Sequence, residues 1–175
     1  MRIRKATRAD IPSIERVMRA SVAGLGSPFY DAQQIASAVE QITIPDAQLI
    51  DDNTFFVVED DEGIVACGGW SKRKKLYTGS AEQAQLEGLL DPAKDAARIR
   101  AMFVDPSYAR RGLGRLILEA SEDDARRAGF HDFELMATLP GVPLYLACGY
   151  EEIEKTTIDL ADGMRIGGVR MRRVK

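Results

Sequence analysis

The sequence predicts a mixed α/β fold, and three observations carry that expectation. Thr54–Glu59 (TFFVVE) and Ile64–Ser71 (IVACGGWS) are two apolar, β-prone runs separated by Asp60–Gly63, the pattern of an antiparallel hairpin. Ile99–Val104, the amphipathic stretch Arg110–Ala128 and Phe133–Ala137 form a strand–helix–strand unit, so those two strands should be parallel with a right-handed crossover. Asp162-Gly163 is a hairpin turn signal between two further strand patterns. A length of 175 residues fits one domain, residues 1–175, with room for a sizeable core.

Taken in order, Arg2–Ala6 alternates and reads as a first strand. Thr7–Asp10 offers capping groups before Ile11–Val22, whose apolar spacing is helical, and Gly24–Tyr30 (GLGSPFY) should break that helix. Asp31–Ile42 reads as a second helix. After the predicted hairpin the pattern fades from Lys72 to about Ala96, an excursion between strands with some helical periodicity in AEQAQLEGLL (81–90). In the long helix, Leu113, Leu116, Ile117 and Ala120 share a face, and Gly129 ends it. Pro143–Cys148 reads as a short helix ended by Gly149, Tyr150–Ile158 as a strand and Met164–Val174 as the last strand.

Composition excludes several classes. The net charge of -3 gives no general attraction to nucleic acid or to an anionic membrane. No apolar run approaches the roughly 20 residues of a membrane span, and the N-terminus lacks a signal peptide's apolar core. Cys67 and Cys148, both in apolar surroundings, read as small packing residues and cannot make a metal site alone, so no metal is expected. The expected compartment is the cytoplasm.

The stretch DPSYARRGLGRLIL (Asp105–Leu118) sets two glycines among three arginines where a helix begins. Glycine weakens a helix by about 0.8–1.0 kcal/mol relative to alanine, and arginines repel the positive end of the helix dipole. An anion resting on the exposed N–H groups would relieve the arginines' conflict with the dipole, and Gly112 and Gly114 would leave no side chain in its way. A phosphate or pyrophosphate fits; a glycine-rich turn with solvated arginines is the plainer alternative. The dinucleotide fingerprint lacks its third glycine, and the P-loop pattern is absent.

MFVDPSYARRGLGRLIL (Met102–Leu118), followed about thirty residues on by PLYLACGY (Pro143–Tyr150), resembles the GNAT acyltransferases. The first matches that family's pyrophosphate loop and the second its tyrosine-bearing helix. With the order of elements on either side, the resemblance covers nearly the whole chain. It implies the GNAT fold: a central mixed, mostly antiparallel sheet flanked by helices, with splayed parallel strands at the cofactor site. It also implies acetyl-CoA as co-substrate. The backbone of Met102, Phe103 and Val104 would pair with the pantetheine amides. Arg110, Arg111, Gly112, Leu113, Gly114 and Arg115 would cradle the pyrophosphate, and Tyr145 would stand near the thioester sulfur. Two positions depart from the family pattern: Ala109 replaces the loop's usual Gln or Arg, and Thr138 stands where an asparagine is common.

Acyl transfer to an amine needs a neutral nucleophile, a donor for the oxyanion and a proton for the leaving thiolate. A phenol with pKa about 10 is protonated at neutral pH, so Tyr145 is the candidate general acid, with core packing as its alternative role. The base stays unassigned. The strand RIRAMFV carries no carboxylate, and Asp105, Glu134, Glu59, Asp60 and the single histidine, His131, are all equivocal. The acceptor site should draw on Ser27–Val39, the GGWS strand and the excursion, with Trp70 lining it or packing in the core, Tyr77 lining it, and Lys72–Lys75 (KRKK) available to an acidic acceptor. The expectation is an N-acetyltransferase acting on a small-molecule or peptide amine, with a homodimer as one possible assembly. The alternatives are a catalytically silent acyl-CoA sensor and, against the net charge, a nucleic-acid-directed protein.

Overall fold

The computed structural model describes residues 1–77, 83 and 85–174. Seven strands form one sheet in the order β1-β2-β3-β4-β5-β7-β6. They are β1 (Arg2–Lys5), β2 (Phe55–Asp60), β3 (Gly63–Ser71), β4 (Ala97–Val104), β5 (Phe133–Thr138), β6 (Glu151–Asp159) and β7 (Arg165–Arg173). Every neighbouring pair is antiparallel except β4 and β5, which run parallel across the long helix α4 (Leu113–Arg127). The mixed, mostly antiparallel sheet expected from the sequence is therefore the sheet observed.

Helices cover both faces. α1 (Ile11–Leu25) turns Ile14, Val17 and Met18 onto Phe55, Val57 and Cys67 of the sheet. On the opposite face α4 sets Leu113, Ile117, Leu118 and Ala125 against Ala97, Ile99, Phe133 and Leu135. At roughly 1.5–3 kcal/mol for each large apolar side chain removed from water, these two layers dominate folding. α2 (Ala32–Gln41) starts from a reciprocal cap: Asp31 Oδ1 accepts from the Gln34 N–H, and Gln34 Oε1 accepts from the Asp31 N–H. Its Ala38 packs on Ile158, Leu160 and Ile166 of the β6–β7 end.

Four elements differ from the sequence reading. α1 continues through Gly24 to Leu25, because at residue 24 the helix passes so close to Pro106 that a Cβ would sit 2.5 Å from its Cγ. A helix α3 (Ala47–Asp51), for which no element was expected, is capped by Asp46; five residues are too few to display a period. β4 begins at Ala97 rather than Ile99, and α4 at Leu113 rather than Arg110, since Arg110 and Gly112 both have positive φ (63° and 82°). Of the helical periodicity at 81–90, residues 81, 82 and 84 lie outside the described residues, and 85–90 are not helical. The short helix of the sequence reading is α5 (Val142–Ala147). Among the described residues no helix is long and apolar enough to cross a membrane.

Trp70 belongs to the core and not to an acceptor site. It is 3% exposed, meets the Phe130 ring edge-on at 5.6 Å, and donates its indole N–H to Asp124 Oδ2 at 2.8 Å. Asp124 also pairs with Lys5 at 2.5 Å, tying α4 to β1 and β3. Cys67 is wholly buried, and burial pushes its thiol pKa up, so it packs as an unreactive small side chain. Trp70→Ala is expected to cost about 3–5 kcal/mol in urea unfolding; a loss below about 1 kcal/mol would remove the indole from the core.

Candidate functional site

The site begins with one extra residue in β4. β3 pairs with β4 as Cys67↔Phe103 and then as Gly69↔Arg100, so β4 uses three steps where β3 uses two. The surplus is absorbed by a β-bulge at Ala101, whose φ of 54° is the left-handed region that few non-glycine residues adopt. Opposite it, Gly68 makes room: a Cβ there would lie 2.4 Å from Met102 Sδ and 3.2 Å from Met102 Cα. The bulge bends β4 away from its parallel neighbour. β4 and β5 are in register only at Ala97↔Phe133 and Arg98↔Glu134, and beyond that they part.

The parting strands open a cleft of about 110 Å³. Met102 and Phe103 line it from β4, Met136 and Thr138 from β5, and Tyr145 from α5. Three of the residues named from the family resemblance, Met102, Phe103 and Thr138, together with Tyr145, thus surround one space, while none of Arg110–Arg115 lines it. Val104 is not among its lining residues, and its N–H donates to Ser21 Oγ of α1 at 3.4 Å.

Tyr145 is 7% exposed and stacks edge-on against Tyr150 at 5.7 Å. Its hydroxyl makes no hydrogen bond among the described residues, although a buried phenol usually finds a partner. Burial, with the Cys148 thiol nearby as a smaller cause, pushes its pKa above the ordinary phenol value. Tyr150 differs: its hydroxyl donates to Glu122 Oε1 at 2.9 Å, and Glu122 is held in turn by Arg126 and Arg173. Tyr150 is a structural tyrosine, while Tyr145 presents an uncommitted donor to the cleft.

The arginine–glycine stretch follows β4 directly. Asp105 Oδ1 accepts from the Ser107 N–H and starts a 3-10 turn, Pro106–Tyr108. The chain then turns through Arg110 and Gly112 in left-handed conformation before α4. Gly112 has no atom within 4 Å of where a Cβ would stand, so its glycine is required by φ and not by crowding. Gly114 is required by packing: a Cβ would meet Leu144 Cδ2 at 2.8 Å, so the first turn of α4 lies directly against the helix that carries Tyr145. The Leu116 N–H is bonded to the Gly112 carbonyl, 3.0 Å, while the N–H groups of Leu113, Gly114 and Arg115 belong to the first turn, which has no preceding helical carbonyls.

The three arginines are placed differently. Arg115 is exposed, donates to the Ala147 carbonyl at 3.2 Å and lies 3.9 Å from Glu119. Arg111 lies over the Tyr108 ring at 4.9 Å, and the Tyr108 hydroxyl donates to Asp60 Oδ2 at 2.6 Å. Arg110 is exposed and forms no ion pair or hydrogen bond among the described residues.

The carboxylates considered from the sequence are occupied elsewhere. Glu134 is buried between Arg98 (2.7 Å) and Arg170, which holds its pKa below the ordinary value despite desolvation. Glu59 is held by Arg2 and Arg4, and Asp60 by Tyr108. Asp105 caps its turn, and His131 is exposed. The carboxylate that does line the cleft is Asp46, which sequence reasoning missed. It caps α3 through the Gln48 N–H, and its Oδ2 lies 2.9 Å from Arg100 and 3.8 Å from Lys75. The proline–aspartate pair before AQLID signals a helix start, but nothing local signals that the cap reaches β4. Tyr77, read from the sequence as a candidate for the acceptor site, is among the residues that line the cleft.

A family model described as an acetyltransferase (GNAT) domain matches residues 51–152, from α3 to the start of β6. None of the curated proteins compared with the chain matches it. Solved structures share its fold at low identity. A GCN5-related N-acetyltransferase from Rhodopseudomonas palustris superimposes with TM-score 0.72 at 16% identity, covering 99% of this chain and 95% of that one. The PaiA N-acetyltransferase of Thermoplasma acidophilum, solved with coenzyme A, gives 0.68 at 14% identity over 99% and 98%. A ribosomal-protein-alanine N-acetyltransferase from Brucella melitensis gives 0.65 at 16% identity over the whole of both chains. With the family model spanning more than half the sequence and the bulged, splayed sheet beneath it, the chain belongs to the GNAT acetyltransferase family.

Proposed function

We propose that this protein is an N-acetyltransferase that moves an acetyl group from acetyl-CoA to a primary amine of a small molecule or peptide. The observation that carries the proposal is the meeting of the bulged β4 backbone and the uncommitted Tyr145 hydroxyl on one cleft; the first turn of α4 does not line that cleft but packs through Gly114 against the helix of Tyr145. When bound, acetyl-CoA supplies the activated acyl group as a thioester.

The residues present fit such a ligand. The left-handed turns at Arg110 and Gly112 leave the first N–H groups of α4 facing outward with no side-chain cap, and open space stands over Gly112. Arg110, Arg111, Leu113, Gly114 and Arg115 complete a cationic loop suited to a pyrophosphate; Ala109 adds no side-chain donor there. Strand backbone at Met102 and Phe103, freed from β5 by the bulge, would bind an extended amide chain as a further strand does, and Thr138 offers a hydroxyl across the cleft. Val104 contributes its position in the strand and not its N–H, which Ser21 takes. Bulge N–H groups are the proposed donors for negative charge developing on an acyl oxygen. The proposed general acid is Tyr145, its Oη donating to a leaving thiolate. The uncommitted hydroxyl favours this reading over a silent sensor of the cofactor, because a purely structural phenol so deeply placed would be bonded, as Tyr150 is.

Acetyl-CoA or CoA at about a hundred times its dissociation constant should stabilise the protein by roughly 2.7 kcal/mol, visible as a rise in Tm of about 5–11 °C. Gly112→Val should abolish the rise by filling the space above the loop. No rise with the parent protein would overturn the proposal.

Tyr145→Phe should reduce turnover about 10²–10⁴-fold while leaving the CoA-induced rise in Tm intact. Because burial raises the phenol pKa, its acid form persists through neutral pH, and turnover should show no loss of this proton below about pH 10. Full turnover in the phenylalanine variant would remove Tyr145 from the chemistry; absence of turnover in both forms across a broad amine panel would favour the sensor.

A further inference from the structure

The connection between α1 and α2 reaches across the molecule to the helix that carries Tyr145. Tyr30, half-buried, is the residue that makes this link. Its N–H donates to the Gly26 carbonyl at 3.0 Å, and Asp31, next in the chain, caps α2, so its backbone is held from both sides. Its ring packs against Ala38, Ile158, Leu160 and Ile166. Its hydroxyl makes two hydrogen bonds at once: it donates to the Gly167 carbonyl of β7 at 2.6 Å and accepts from the Leu139 N–H at 2.8 Å.

The second of these bonds is a helix cap supplied from a distance. Leu139 opens the 3-10 turn Leu139–Gly141, which runs directly into α5. The first N–H groups of such a start have no preceding helical carbonyl to meet. Thr138, in the capping position, makes no side-chain cap, and the Leu139 N–H goes instead to Tyr30, 109 residues away in the chain. The Leu139 carbonyl in turn accepts from the Val142 N–H. The Tyr145 ring stands over Gly141, where a Cβ would lie 3.2 Å from Tyr145 Cε2. β7 is fitted to the same turn, since a Cβ on Gly167 would lie 3.1 Å from Leu139 Cδ1. Tyr30 does not line the cleft, but it fixes the turn on which Tyr145 rests.

We propose that Tyr30 is a positioning residue for acetyl transfer, its hydroxyl setting the start of α5 and through it the place of the Tyr145 hydroxyl in the cleft. The inference rests on the general-acid role proposed above for Tyr145. α5 has only six residues, and helices shorter than about 12–15 residues do not hold themselves in water. Its placement therefore comes from its contacts: Leu144 against Gly114, the Tyr145 ring against Tyr150, and the Tyr30 cap at its start. A general acid must come within about 2.6–3.2 Å of the atom it protonates. A small displacement of the turn therefore acts on the rate of transfer and not on the affinity for the cofactor.

The test is a double-mutant cycle on kcat for acetyl transfer to the best amine of a panel, each variant assayed well below its Tm. Tyr30→Phe keeps the ring and removes both hydrogen bonds. It should lower kcat about tenfold, with KM for acetyl-CoA and the CoA-induced rise in Tm preserved. In a Tyr145→Phe background the same substitution should change kcat by less than about twofold, because the group it positions is gone. Gly141→Ala, which crowds the Tyr145 ring without touching the Tyr30 bonds, should also lower kcat and also lose its effect in that background. Independently of turnover, amide hydrogen exchange at Leu139 should rise about tenfold in Tyr30→Phe and stay unchanged at Leu116 of α4. An equal loss of kcat in both backgrounds would show a merely structural role and overturn the inference, as would an unchanged kcat, a loss confined to KM for acetyl-CoA, or unchanged exchange at Leu139. A slow Tyr145→Phe beside a normal Tyr30→Phe overturns this inference alone and leaves the general acid in place. Full turnover in Tyr145→Phe, or none in the parent protein with any amine, overturns the reading on which it rests and this inference with it.

Discussion

The arrangement of the site depends on the extra residue in β4. Two parallel strands in full register would pair along their whole length and leave no space between them. The bulge at Ala101 prevents this after Arg98, and the backbone released from β5 becomes the wall of a cleft. The bulge is sustained from both sides: Gly68 on β3 accommodates Met102, and the Cys67 thiol lies 4.0 Å from the Ala101 carbonyl. A positive φ at a residue with a Cβ costs about 1–2 kcal/mol, and the layers of α1 and α4 on the two faces of the sheet supply far more than that.

Around this opening the α4 loop and the Asp46 side of the cleft are built by different physics. The α4 loop is backbone: left-handed residues at 110 and 112, uncapped N–H groups, and a helix start held in place by van der Waals contact between Gly114 and Leu144. The Asp46 end is side-chain charge, with a buried arginine on β4 reaching the cap of a short helix. The first suits a ligand recognised by shape and negative charge; the second suits one recognised by its functional groups. In the family reading these correspond to a common co-substrate and an individual acceptor. Ile42, Ile44, Asp46, Leu76 and Tyr77, which line the cleft on the Asp46 side, come from irregular segments whose placement no secondary-structure period dictates.

Much of the charged surface serves the fold. Glu122, Glu134 and Asp124 are each bound by two or more donors from separate elements: Tyr150, Arg126 and Arg173; Arg98 and Arg170; Lys5 and Trp70. Each such carboxylate fastens strands and helices that apolar packing alone would leave free to slide. Groups committed in this way are poor candidates for chemistry, which is why Tyr145, whose hydroxyl makes no hydrogen bond among the described residues, stands apart.

The sequence by itself determined the order of the strands and of every helix but α3, the parallel β4–β5 pair, and the arginine–glycine loop with its tyrosine helix, because these are written in local periodicity, turn residues and motif spacing. It marked Met102, Phe103, Thr138 and Tyr145, and the structure gathers them around one cleft. Tertiary structure alone decided the rest. Trp70 went to the core because Asp124 and Phe130 wait there. Gly114 proved a packing residue because Leu144, thirty residues on, occupies the space above it. Asp46 became a cleft residue through Arg100, fifty-four positions away. The bulge itself arises from a count of residues between paired strands, a property of two segments together. Local sequence fixes conformation through short-range sterics and hydrogen bonds, but burial, ion pairing and strand register depend on which distant segments meet, and that is settled only when the sheet closes.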